Sequence, residues 1–181
     1  YIPAVKAGKK VYLEGRSVNI AGIDEKKWIR DFQYCKDVVR LSHGKGIENA
    51  ILHYGNCTCA GDVFKNPHHR ELHWNMELKF LKEISRELKG ASINLLVENH
   101  PYQDRVFKNH AAHIQSILDQ KVANICLDFP HAFIRHKRFG DEEPMKIIEK
   151  FQKHILEVHL ADNDGETNEP LSLGTGKMPW Q

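Results

Sequence analysis

Apolar positions along the chain switch repeatedly between two periods. Short apolar-rich runs at Ile47-Glu48-Asn49-Ala50-Ile51-Leu52, Ser92-Ile93-Asn94-Leu95-Leu96-Val97, Ile125-Cys126-Leu127 and Ile155-Leu156-Glu157-Val158 are too short for helices. Bounded by turn residues, they predict buried strands. Between them, apolar residues recur at helical spacing. Asp24 is an N-cap for a helix carrying Trp28, Ile29, Phe32, Cys35, Val38 and Val39 and stopped by Gly44 and Gly46. Asn66 and Pro67 open a second helix with Leu72, Met76, Phe80, Leu81, Ile84 and Leu88 on one face and Gly90 at its end. Asn109 opens a shorter one with Ala112, Ile117 and Leu118 inward, residues 129–133 start a short turn or helix, and Pro144 begins another with Ile147, Ile148 and Phe151. Residues 1–23 predict one or two short extended segments, around Val11-Tyr12-Leu13 and Val18-Asn19-Ile20. The alternation of strand and helix predicts an α/β fold with a parallel sheet and right-handed crossovers.

Each predicted strand ends on a side chain able to bind a metal or move a proton: His53, Glu98, Asp128 and His159, at intervals of 45, 30 and 31 residues. These intervals suit successive strand-helix units, whose functional groups gather at the C-terminal edge of the sheet. The turn after a strand can aim His131, three residues after Asp128, into the same pocket. Carboxylates and imidazoles together suit a divalent ion of the Mn²⁺, Mg²⁺, Co²⁺ or Zn²⁺ type, with Glu98, Asp128 and His159 as ligands. Parallel strands lie about 4.8 Å apart, so neighbouring strand ends can converge on one ion.

Composition narrows the setting without changing this picture. A chain of 181 residues with 41% hydrophobic content supports one domain over 1–181, and 26 basic against 24 acidic residues leave no strong field for nucleic acid or membrane. Cys35, Cys57, Cys59 and Cys126 show no disulfide framework. A reducing, cytoplasmic location is expected, and no apolar run approaches membrane-spanning length. The first residue is Tyr1, so a processed or partial chain is expected.

Other polar clusters receive plainer readings. Cys57-Thr58-Cys59 lacks the two-residue gap of a zinc knuckle and reads as loop; His68, His69, Arg70 and His73 read as a solvated first helical turn; His110 and His113 read as surface helix residues. His43, His136 and His154 flank helix ends, where a cation is favoured without any function. Asp162, Asn163 and Asp164 read either as support for the site or as a hydrophilic turn. The Leu173-Gly174-Thr175-Gly176 turn is too short to count as a phosphate cradle.

Three ordered stretches then carry a resemblance. Val97-Glu98-Asn99, Leu127-Asp128-Phe129-Pro130-His131-Ala132-Phe133, and His159-Leu160-Ala161-Asp162-Asn163-Asp164-Gly165 running on to Leu173-Gly174-Thr175-Gly176-Lys177-Met178-Pro179-Trp180 resemble the xylose-isomerase-like barrel superfamily, over roughly residues 24–181. That superfamily holds sugar and sugar-phosphate isomerases and epimerases, inosose dehydratases and apurinic-site nucleases of the endonuclease IV type. The resemblance implies a (β/α)₈ TIM-type barrel with a metal at its C-terminal face. It also implies Glu98, Asp128 and His159 as metal ligands, Glu98 as the proton-abstracting base, His131 as a substrate-contacting or second-metal histidine with a catalytic role, and His53 as a substrate-binding histidine. Two departures qualify it. Asn168-Glu169-Pro170 stands where the nuclease branch has an Asp-x-His pair, which favours the sugar-acting branch. The family's last glutamate ligand has no counterpart before Gln181, and five or six strands stand where a closed barrel needs eight in about 250 residues. The expectation is therefore an incomplete barrel, with a homo-oligomer or an open edge as its consequence. A metal-dependent isomerase or epimerase of a small sugar or sugar phosphate ranks first, a nuclease on abasic DNA second, and a non-catalytic partial barrel third.

Overall fold

A computed structural model describes residues 9–12, 18–55, 66–101 and 109–180. Five strands, β1 (Lys9–Tyr12), β2 (Ile47–His53), β3 (Asn94–Glu98), β4 (Asn124–Asp128) and β5 (Ile155–His159), form one sheet in the order of the sequence. Every neighbouring pair is parallel. Helices α1 (Glu25–Ser42), α2 (Pro67–Gly90), α3 (His110–Asp119), α4 (Phe129–Phe139) and α5 (Pro144–Phe151) fill the crossovers. The result is an open barrel, with β1 and β5 as its edges among the described residues.

Local chemistry sets the helix starts. The Asp24 carboxylate accepts from Lys27 N at 3.0 Å, Asn66 Oδ1 from His68 N at 3.1 Å, and Asn109 Oδ1 from Ala112 N at 2.8 Å. Each cap satisfies an amide that the first turn leaves unpaired. Period-two alternation then assigns the strand faces. Ala50, Leu52, Leu95 and Val97 face α1 and α2, packing with Trp28, Val38, Phe80, Leu81, Ile84 and Leu88. Ile125 and Leu127 pack against α3, α4 and α5 through Ile114, Phe133, Ile147 and Phe151. The opposite, inner face holds a smaller apolar floor of Ile51, Leu96 and Cys126.

Several expectations need correction. Residues 18–20 form no strand; they lead into a turn at Ile20 and Ala21 that Gly55 approaches so closely that a Cβ on Gly55 would lie 2.2 Å from Ala21 Cβ. In α3 the inward residues are Ala111, Ile114 and Ile117, while Ala112 points outward. Ile29 and Leu72 are exposed flanks of their helices. His73, His110 and His113 are fully buried: His73 meets the Ala21 carbonyl, His110 the His100 carbonyl and the Tyr54 ring, and His113 the Glu77 carboxylate of α2. The expected loop at 56–65, with Cys57 and Cys59, lies outside the described residues.

On β5 the outer face is uncovered. Leu156 and Val158 are 48% and 41% exposed, in contrast to the fully buried Leu52 and Leu127 on inner strands.

Candidate metal centre

Strand register delivers the polar groups to one rim. His53 pairs with Glu98, Glu98 with Cys126, and Asp128 with His159. Glu98 Oε1 lies 3.1 Å from His159 Nδ1, 3.5 Å from His53 Nε2 and 3.9 Å from His131 Nδ1. Asp128 Oδ2 lies 3.6 Å from the same His159 nitrogen. The structure thus brings together all five residues singled out in the sequence.

Asp128 has two tasks. As the N-cap of α4 it accepts from His131 N at 2.8 Å through Oδ1, leaving Oδ2 toward His159. The Asp-x-x-His spacing is therefore a helix cap that also turns the His131 ring inward. His131 Nδ1–H donates to the Asn99 carbonyl at 2.7 Å, so Nε2 is the ring nitrogen left for a ligand. Asn99 clamps the neighbouring strand end from both sides, accepting from Asp128 N at 2.8 Å and donating to Asp128 O at 2.9 Å.

Electrostatics follows from this crowding. Burial alone would push the Glu98 carboxyl up, but hydrogen bonds and positive charge from His159 and His53 outweigh it and hold the group at about 2. Burial would lower His159; hydrogen bonding to Asp128, Cys126 and Glu98 instead drives its pKa well above the usual imidazole value. His100, whose ring centroid lies 5.4 Å from that of His53 and 6.3 Å from that of His131, is lowered to about 4, mainly by burial.

A divalent ion fits these donors. Glu98 Oε2 is buried with no hydrogen-bond partner among the described residues, an expensive arrangement for a carboxylate unless a cation faces it. Three-donor groups whose ligand atoms lie within 4.8 Å of one another occur at His53, Glu98 and His131 and at Glu98, Cys126 and His159. A cation at the carboxylates would displace the His159 proton, since a ligating imidazole must be neutral.

Beside the rim lies a cleft of about 190 Å³ bounded by Asp128, Pro130, His131, Asn163, Asn168 and Glu169. Asn163 lines it, and its neighbour Asp162 ties the turn together. The Asp162 carboxylate accepts from Trp180 Nε1 at 2.9 Å and from the amides of Asn163, Gly174 and Met178. Against the upward push of burial, these donors hold it at about 2. Asn163 Nδ2 donates to Pro130 O at 3.1 Å. A Cβ on Gly176 would lie 2.2 Å from Asp162 Oδ1, so glycine is required there by close approach.

A model of the family described as xylose isomerase-like TIM barrel matches residues 7–181. The chain belongs to this family. An uncharacterized protein of Methanocaldococcus jannaschii, MJ1614, is 26% identical over 162 residues, covering 89% of this chain and 58% of its own length. Among solved structures, a D-tagatose 3-epimerase-like protein superposes with a TM-score of 0.74 at 20% identity, over 96% of this chain and 63% of that one. Endonuclease IV from Thermus thermophilus gives 0.61 at 18% identity, over 94% and 60%. This xylose isomerase-like chain thus spans about three-fifths of the length of its relatives, in agreement with five strands of an eight-stranded barrel.

Two inner-face residues of this xylose isomerase-like sheet escaped the sequence reading. Cys126 and Glu157 stand two residues before Asp128 and His159, so the period of a strand places them on the same face one layer deeper. Glu157 Oε1 and Cys126 Sγ lie 3.3 and 3.5 Å from His159 Nε2. Counting back by two from each strand end was the available signal.

Proposed function

We propose that this chain carries the metal-binding rim of a divalent-metal-dependent sugar or sugar-phosphate isomerase or epimerase, with Glu98, Asp128 and His159 as ligands to Mn²⁺, Mg²⁺, Co²⁺ or Zn²⁺. The observation that carries the reading is Glu98: a buried carboxylate with one unpartnered oxygen, ringed by His53, His131, His159 and Asp128. The small polar cleft beside it is below the ~300–1,000 Å³ of pockets for larger organic ligands, which supports a compact polar substrate. Similarity to a D-tagatose 3-epimerase-like protein supports the same branch. Asn168 and Glu169, rather than an Asp-x-His pair, line the cleft, which weighs against the endonuclease reading.

Bound at the rim, the ion supplies Lewis-acid polarisation of a carbonyl and its adjacent hydroxyl. Glu98 removes the proton from the neighbouring carbon, giving an enediolate. His131, its Nδ1–H committed to Asn99, offers Nε2 to a substrate hydroxyl and serves in proton transfer. His53 borders the same carboxylate and contacts the substrate.

The uncovered face and edge of β5 support pairing with a second copy of the chain or with further strands of a longer gene product. The buried thiol of Cys126 suits a reducing, cytoplasmic setting. No helix among the described residues is long and apolar enough to cross a membrane.

The decisive experiment incubates this chain, and any longer product of its gene, with a panel of ketoses and ketose phosphates in D₂O with Mn²⁺. Deuterium incorporation next to the carbonyl, lost in Glu98→Gln, is expected. An abasic duplex is assayed in parallel; its cleavage without sugar turnover overturns the reading, and metal binding without either reaction leaves a non-catalytic barrel.

A further inference from the structure

His159 has two differently populated sides. Its Nδ1 faces the oxygen ligands, with Glu98 at 3.1 Å and Asp128 at 3.6 Å, while its Nε2 faces Cys126 Sγ at 3.5 Å and Glu157 Oε1 at 3.3 Å. Strand register explains the division. Asp128 pairs with His159 on an upper rung, Cys126 with Glu157 on a lower one, and Glu98 pairs with Cys126 while its carboxylate reaches the upper ring nitrogen. The imidazole stands between an all-oxygen rung and a rung that adds sulfur.

We propose that the rim is one metal centre with two positions, in which ion identity selects the rung: a hard ion such as Mn²⁺ or Mg²⁺ sits above with Glu98, Asp128 and His159, and a thiophilic ion such as Zn²⁺, Co²⁺ or Cd²⁺ sits below with Cys126, Glu157, Glu98 and His159. The inference rests on the proposed metal-binding role of Glu98 and His159 and adds Cys126 and Glu157 to it.

Distance and chemistry both support the lower position. Zn–N and Zn–S bonds of about 2.0 and 2.3 Å allow donors up to roughly 4.3 Å apart across one ion, so the 3.5 Å between Cys126 Sγ and His159 Nε2 is compatible with a shared ligand field. Glu98, Cys126 and His159 present ligand atoms mutually within 4.8 Å, and Glu98 keeps its buried Oε2 unpartnered among the described residues. Thiolate selects soft and borderline ions, and carboxylate selects hard ones. Cys126 also contributes to the Ile51–Leu96 floor, and packing alone accounts for a small buried thiol; packing does not account for Glu157, a carboxylate on the inward face beside it. The thiol proton of Cys126 would leave to solvent as the metal–sulfur bond forms.

Cobalt distinguishes the two rungs. The full chain titrated with Co²⁺ should show a near-ultraviolet thiolate-to-cobalt charge-transfer band together with the visible d–d bands. Cys126→Ser should abolish the charge-transfer band and weaken Co²⁺ and Cd²⁺ binding at least about tenfold, with Mn²⁺ affinity by calorimetry unchanged within about threefold. Asp128→Asn should do the reverse, reducing Mn²⁺ affinity and keeping the band. X-ray absorption on the zinc-loaded chain with Cys57→Ser and Cys59→Ser should retain a sulfur scatterer at about 2.3 Å, a result that does not require the Cys126 variant to fold. A band that survives Cys126→Ser, or a zinc shell without sulfur, overturns the lower rung while stoichiometric Co²⁺ and Mn²⁺ binding keeps the metal-centre reading intact. Failure of both ions to bind overturns both.

Discussion

Two regions of the molecule pair histidine with buried carboxylate, and only one is built like a site. At the rim, Glu98 meets three imidazoles beside a cleft, and Asp128 and His159 retain partial exposure. Between α2 and α3, Glu77 Oε1 accepts from His113 Nε2 at 3.0 Å and from Gly55 N at 3.2 Å, with both side chains fully buried. Tyr54 and Trp74 close over the His113 ring, and His73 bonds to the Ala21 carbonyl. The inner pair directs a hydrogen bond to backbone, anchoring the end of β2 and therefore His53. Similar residue types thus serve chemistry where they face one another across strand ends and serve anchoring where a helix face seals them.

Reciprocal substitutions should separate the regions most strongly. Glu98→Gln or Asp128→Asn should reduce Mn²⁺ affinity on the order of 100-fold by calorimetry, at or beyond the upper end of the roughly tenfold to 100-fold typical of outer-shell changes, and leave the metal-free chain folded. His113→Ala or Glu77→Ala should leave metal affinity within about threefold and destabilise the fold by roughly 3–5 kcal/mol in urea, because each strands a buried polar partner. His69→Ala should change neither. In wild type, metal at about 100 times its Kd should add about 2.7 kcal/mol, removable by EDTA; Glu98→Gln should lose most of that increment. A Glu77 variant that loses metal as severely as Glu98→Gln would erase the distinction.

Asn99→Ala tests how far the rim depends on positioning. With the two-point side-chain clamp on Asp128 removed, and the Asn99 backbone carbonyl still accepting from His131 Nδ1, metal affinity should fall about tenfold with the ligand set unchanged. Asn99→Asp, which keeps the side-chain acceptor, should recover part of it.

Acid titration sharpens the contrast by a smaller margin. The Glu98 pKa of about 2 lies below its ordinary 4.5, so its stabilising contribution is present above pH 4.5 and lost as pH falls toward 2. Urea midpoints in EDTA should therefore decline over that window and decline less steeply in Glu98→Gln. The raised His159 acts with the opposite sign: its contribution is complete below the ordinary imidazole value of 6.5 and fades only at alkaline pH. Both describe one coupled pair, counted once.

Strand and helix identities could be read from period and caps alone, because Asp24, Asn66 and Asn109 act within three residues of themselves and the apolar runs have no helical alternative. Open topology was legible too, since too few apolar runs exist to close a barrel. The strand-end residues could be named because a parallel sheet exposes its C-terminal edge. Burial of His73, His110 and His113 could not be read, because it depends on contacts with segments distant in the chain: the Ala21 carbonyl for His73, the Tyr54 ring for His110 and Glu77, 36 residues away, for His113. The same holds for the two sides of His159: which nitrogen faces oxygen and which faces sulfur is set by the β4–β5 register, with its irregularity between Ile125 and Cys126. Local hydrogen bonds and periodicity act over a few residues and are written in the chain, whereas the partner of a buried polar atom is chosen by packing between segments distant in sequence.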